Sequence, residues 1–85
     1  MPRYFFHVVN GAFMPDTVGH ECISGDDVKR EAAEAAGAMI REQGLHLWKT
    51  GSWIMFVCDE SNRTLLKLQF EARDLTGVLS GGDTH

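Results

Sequence analysis

Eighty-five residues with 44% hydrophobic and 24% charged side chains describe one small domain, near the lower limit of chains that fold without a metal or disulfide framework. Two cysteines are too few for such a framework, and eight scattered Lys and Arg at a net charge of −4 offer no basic stripe for a phosphate backbone. No run approaches the roughly 20 apolar residues that cross a bilayer, and the aromatic start lacks the apolar length and cleavage site of a signal peptide. The expectation is a cytoplasmic chain with free thiols, no cofactor and no membrane contact, for which nucleic acid is a disfavoured partner.

Tyr4 to Val9 is rich in aromatic and β-branched residues and stops at Asn10-Gly11, a pair that supplies the positive φ angles of a tight hairpin. The return arm, Ala12-Phe13-Met14, is short. Pro15 cannot donate to a ladder, Asp16 to Gly19 reads as a further turn, and His20 to Ile23 as a brief edge strand. Ser24 with Asp27 resembles a capping box, and Asp26 and Asp27 suit the positive end of a helix dipole, so a helix is expected from Gly25 or Asp26 to Gln43, stopped by Gly44. Val28, Ala32, Ala35, Ala36, Met39 and Ile40 fall at spacings of three and four and make its apolar stripe. Because that stripe is mostly alanine, bulk must come from the sheet, from Tyr4, Phe6, Trp53 and Phe70. Gly37 either marks a close contact or is merely tolerated.

Leu45 to Gly51 reads as a connector with apolar anchors. The run Trp53 to Cys58 is apolar at every position, and Asp59 to Arg63 is a polar turn with Asn62 its left-handed residue. Thr64 to Phe70 returns with Leu66, Leu68 and Phe70 on one face and Leu65, Lys67 and Gln69 on the other. Residues 76–85 hold glycines and few apolar groups and read as a flexible tail after a domain spanning residues 1–75. The fold class is α+β: an antiparallel sheet of three to four strands with one long helix on one face, in the order strand-hairpin, helix, hairpin.

Pro2-Arg3-Tyr4-Phe5-Phe6-His7, the Asn10-Gly11 and Pro15 to Gly19 turns, the alanine-rich helix, and the Trp53 to Val57, Asp59 and Phe70 elements resemble a family of short bacterial proteins known only as a domain of unknown function. The resemblance extends to about Leu75 and brings no catalytic residue, cofactor or substrate. The chain departs from it at Ile54, Phe56 and Cys58, where the family alternates polar with apolar residues, and at Asn62, where a glycine is usual. At the level of fold alone the element order is also similar to small antitoxin domains.

In the register that the resemblance implies, Tyr4, Phe6, Val8, Trp53, Met55, Val57, Leu66, Leu68 and Phe70 face the helix. Phe5, His7, Val9, Ile54, Phe56 and Cys58 then form the outer face with Leu65 and Lys67, an apolar patch on the order of several hundred Å2, the size at which such patches mean binding. Either another chain covers it, or the carboxy-terminal segment or the connector through Leu45, Leu47 and Trp48 folds over it.

Candidate chemistry is thin. His7, His20, His46, Cys22 and Cys58 suffice in number for zinc but lack the close paired spacing of a structural site. Asp26-Asp27 and Asp59-Glu60 are explained by capping and turn formation, Cys58 by burial, and no phosphate loop, nucleophile elbow or triad is present. No enzymatic activity is expected. Two functions stay open: a self-associating interaction or accessory module, a dimer first of all and with an unidentified protein partner as a further option, that uses the outer sheet face; or an antitoxin-like nucleic-acid binder in which Phe5, His7 and Phe56 stack bases.

Overall fold

A computed structural model describes residues 2–77. Its elements are β1 (Arg3–Val9), β2 (Phe13–Met14), β3 (His20–Glu21), α1 (Gly25–Gln43), α2 (Leu45–Thr50), β4 (Ser52–Cys58) and β5 (Thr64–Glu71). The expected α+β fold is present, with five strands in one antiparallel sheet of order β2-β1-β4-β5, and β3 beside β1 as well. The count exceeds three or four because the short return arm, β2, and the brief edge strand, β3, both pair with β1, each over two residues. β2 pairs with the end of β1 (Val8 opposite Met14) and β3 with its start (Tyr4 opposite His20).

The hairpin at Asn10-Gly11 forms, but only Gly11 takes a positive φ, of 78°. Asn10 is instead 7% exposed, its amide donating to Gln43 Oε1 and its Oδ1 accepting from Thr50 Oγ1 at 2.9 Å. One buried polar side chain thus ties the end of β1 to the last turns of both helices, and burial is tolerated because both ends of the amide are bonded.

The start of α1 follows the capping reading with one change of partner. Ser24 Oγ accepts from Asp27 N–H at 3.1 Å, while the Asp27 carboxylate reaches back past the cap to accept from Ile23 N–H at 3.0 Å. Gly44, at φ 56°, ends the helix. Val28, Ala32 and Ala36 are buried beneath α1 and Ala35 and Ile40 partly so, but Met39 stands 36% exposed at the rim of the stripe. Gly37 faces open space: a methyl group there would meet nothing within 4 Å among the described residues outside its own helix. Gly37→Ala is therefore expected to raise stability by about 0.5–1 kcal/mol through helix propensity and a less flexible unfolded chain, seen as a higher urea midpoint with unchanged slope.

The connector is a second helix, α2, closed by Gly51 at φ 82°, whose N–H returns to Leu47 O at 2.9 Å. Leu47 enters the same core as Phe6, Val8, Trp53, Met55 and Val57, so α2 lies with α1 on the inner face. Leu45 and Trp48 remain 78% and 55% exposed. Trp53, Met55 and Val57 are almost wholly buried, as the register required; Phe70, opposite Trp53, is not, at 43% exposure on the last strand. Of the expected tail, Thr76 and Gly77 are held by hydrogen bonds to Asp74 Oδ1 at 3.0 and 3.2 Å, and residues 78–85 lie outside the described part.

Candidate functional site

Strand pairing decides which side chains share the outer face. Phe5 lies opposite Cys58, His7 opposite Phe56 and Val9 opposite Ile54, so the six residues singled out by the sequence form one cross-strand block on the side away from α1 and α2. Side chains paired in this way lie close enough to shield one another. Five of the six are accordingly half-buried, and Cys58 is only 6% exposed, its Sγ 3.6 Å from Thr64 Oγ1. Cys58 is thus a buried part of this face rather than a contact point.

Aromatic rings run along the block. Phe5 and His7 are stacked with centroids 6.5 Å apart and planes within 8°, and Phe13 on β2 leans on His7 at 5.8 Å. Phe13, 61% exposed, is the residue that sequence reasoning missed. The Asn10-Gly11 signal alone would not have found it, since a two-residue turn sets Ala12 opposite Val9, whereas the observed pairing sets Phe13 there and hence on the outer face. With His7, Pro15, Phe56, Cys58, Asn62 and Thr64 it lines an open depression of about 420 Å3.

Leu65 leaves this face. The pairing slips by one residue between Val57 and Cys58, which lie opposite Leu66 and Thr64, so Leu65 is the extra residue of a β-bulge. It lines a small cleft on the helix side with Tyr4, Val28 and Leu66. Strict alternation in β5 therefore holds only from Leu66 onward, and Lys67, opposite Phe56, is the cation bordering the outer block.

The free flank of β1 has a gap between β2 and β3, and Asp16 closes it. Its Oδ2 accepts from Phe6 N–H at 3.1 Å, and its Oδ1 from Val18 and Gly19 N–H at 3.1 and 3.0 Å. Its own N–H donates to His7 Nδ1 at 3.0 Å, which fixes the imidazole on the outer face and leaves Nε2 to carry the proton of the neutral ring. Burial works to raise the Asp16 pKa, but the hydrogen bonds from Gly19, Phe6 and Val18 outweigh it and the carboxyl titrates below its ordinary value. Gly19 is required here: at φ 78°, a Cβ would come within 2.7 Å of Arg3 Cγ and 2.8 Å of the Phe5 ring.

The remaining chemical candidates are dispersed. Cys22 is fully buried in the core, and burial, reinforced by Asp27 and Glu31, pushes its thiol up. His20 Nε2 sits 3.6 Å from Glu31 Oε1 beside an open groove of about 440 Å3 between α1 and β1, while His46 is exposed on α2. No three His, Cys, Asp or Glu side chains come together among the described residues in a way that could hold a metal ion. Asp59 accepts from Ser61 and Arg63 N–H in the β4–β5 turn, where Asn62 takes φ 65°. The Arg63 hydrogen bond is the main cause of its lowered pKa. No helix among the described residues is long and apolar enough to cross a membrane.

A family model described as "Domain of unknown function (DUF6894)" matches residues 3–71, from the first residue of β1 to the last of β5. No curated protein and no solved structure matches the chain.

Proposed function

Because the chain belongs to this family of domains of unknown function, we propose a role from its geometry: a non-enzymatic, self-associating module that uses the outer face of its sheet. One observation carries the reading. Phe5, His7, Val9, Ile54 and Phe56 form a continuous apolar block, extended by Phe13, on which neither helix packs. Two copies stacked through this face would bury it as the two sheets of a sandwich bury theirs, about 10 Å apart. The connector cannot serve instead, since Leu47 is committed to the inner core. The two free cysteines, both buried, suit a cytoplasmic setting, and the resemblance of the opening motif suits a bacterial one.

A charge placed in the centre of that interface meets its own symmetry mate in an apolar layer. Phe56→Glu is expected to weaken face-to-face association at least a hundredfold, about 3 kcal/mol, and to halve the mass measured by light scattering at micromolar concentration. A wild-type chain that runs as a monomer, or a mass unchanged by Phe56→Glu, would sink the proposal. The aromatic row of Phe5, His7 and Phe13 keeps base stacking as the competing reading. Binding to single-stranded RNA that collapses as salt is raised would favour it, whereas apolar stacking of two sheets is insensitive to salt.

A further inference from the structure

β5 is the outermost strand on its side of the sheet, and nothing among the described residues pairs with its far edge. The direction of its backbone groups follows from one bond. Ala72 N–H donates to Gly51 O at 3.0 Å, and Gly51 and Ala72 continue the register in which Ser52 faces Glu71. In an antiparallel ladder, hydrogen-bonded and non-hydrogen-bonded pairs alternate, so Trp53–Phe70 and Met55–Leu68 exchange bonds while Ser52–Glu71, Ile54–Gln69 and Phe56–Lys67 do not. Lys67, Gln69 and Glu71 therefore point both N–H and C=O outward, at an edge without proline or bulge over that stretch.

We infer that this edge pairs with β5 of a second copy, antiparallel and centred on Gln69, to give one sheet that runs through both chains. The charges favour that register. With Gln69 opposite Gln69, Lys67 falls opposite Glu71 of the second copy and Glu71 opposite its Lys67, and these three facing pairs are the ones whose N–H and C=O groups point outward. A shift that centres the pair on Lys67 sets two lysines against each other, one centred on Phe70 sets Lys67 against Arg73, and one centred on Leu68 sets Lys67 against Gln69, so of these only the Gln69 centre gives Lys67 an acidic partner in each copy. Lys67 has no ion pair among the described residues, and Glu71, which bonds Arg73 of its own chain, keeps an exposed carboxylate. On the helix side the same register puts Leu68 opposite Phe70 of the second copy, which gives the 43% exposed Phe70 ring an apolar neighbour. The helices stay on one side of the joined sheet and both outer faces on the other, so edge pairing and face-to-face stacking are separate, compatible contacts whose combination is a tetramer.

The test is the solution mass of the full chain in a Val9→Glu background, which disables the outer face two strands away from β5. That variant is expected to run as a dimer at tens of micromolar. Adding Gln69→Pro should make it a monomer with unchanged circular dichroism, since the lost N–H points away from β4 and proline is tolerated on such an edge. Lys67→Glu in the same background should weaken the dimer on the order of tenfold, and adding Glu71→Lys should restore it. A monomeric Val9→Glu chain, or a dimer indifferent to both Gln69→Pro and Lys67→Glu, overturns edge pairing. Failure of the face-to-face proposal reads differently: the wild-type chain and Val9→Glu would then have the same mass.

Discussion

Trp53→Ala should cost about 3–5 kcal/mol, a large part of the stability available to a domain of this size, and leave the protein partly unfolded at room temperature. Trp53 is 1% exposed at the centre of the inner face, with Met55 and Val57 beside it and the alanine stripe of α1 above. Ala32 and Ala36 have no side-chain length to collapse into the void, and the sheet on the other side is fixed by its ladders, so the cavity persists and its full cost is felt. Trp53→Phe should be much milder. Its ring fills most of the space, and the indole Nε1, buried without a hydrogen-bond partner among the described residues, disappears along with its desolvation cost of about 1–3 kcal/mol. Urea unfolding at one fixed protein concentration measures both, because self-association would add to apparent stability. A loss below 1 kcal/mol for Trp53→Ala would mean that the core is not organised around this ring.

Asp16→Ala is expected to cost about 2 kcal/mol although Asp16 is not one of the residues of the hydrophobic core. The carboxylate takes the place of a missing stretch of strand, and without it Phe6 N–H in the β2–β3 gap and the Val18 and Gly19 N–H groups lose their acceptor together. Asp16→Asn should fall between the two, because Phe6 bonds one oxygen and Val18 and Gly19 the other, and an amide offers only one acceptor. The sign of the pH dependence follows from the lowered pKa. The folded state favours the ionised carboxylate, so its contribution is complete above the ordinary Asp value of about 3.9 and is lost as pH falls through the lower value of the folded protein. Thermal midpoints of the wild type should therefore drop toward Asp16→Asn as the solution is acidified, and the gap between them should close. A gap that stays constant from neutral to strongly acidic pH would show that Asp16 stabilises by shape and not by charge.

Much of this was legible in the chain. Ser24 and Asp27 mark the start of α1 and Gly44 its end, because caps are local chemistry: a hydroxyl within reach of an amide three residues on, and a backbone angle that glycine adopts freely. The assignment of Trp53, Met55 and Val57 inward, and of Ile54 and Phe56 outward, came from the period of two in a strand together with the register that the family resemblance implies. That same reasoning erred where one residue breaks the period. Leu65 turned to the helix side because the bulge opposite Val57 and Cys58 adds a residue that no hydrophobic pattern announces. Leu45 to Thr50 looked like a loop with apolar anchors because six residues are too few to show a helical period.

Asn10 illustrates the same divide from the polar side. Its place before Gly11 announced a turn, yet its burial between Gln43 and Thr50 depends on residues 33 and 40 positions away. The sequence by itself determined the main strands, the long helix with its ends and the existence of an apolar surplus on the sheet, since each follows from interactions within a few residues. Only the tertiary structure decided that Asp16 completes the flank of β1, that Phe13 joins the outer block, and that the outward backbone groups of β5 belong to Lys67, Gln69 and Glu71. Those outcomes rest on the register between strands distant in sequence, which is set jointly by every side chain on both faces and is therefore written in no single segment.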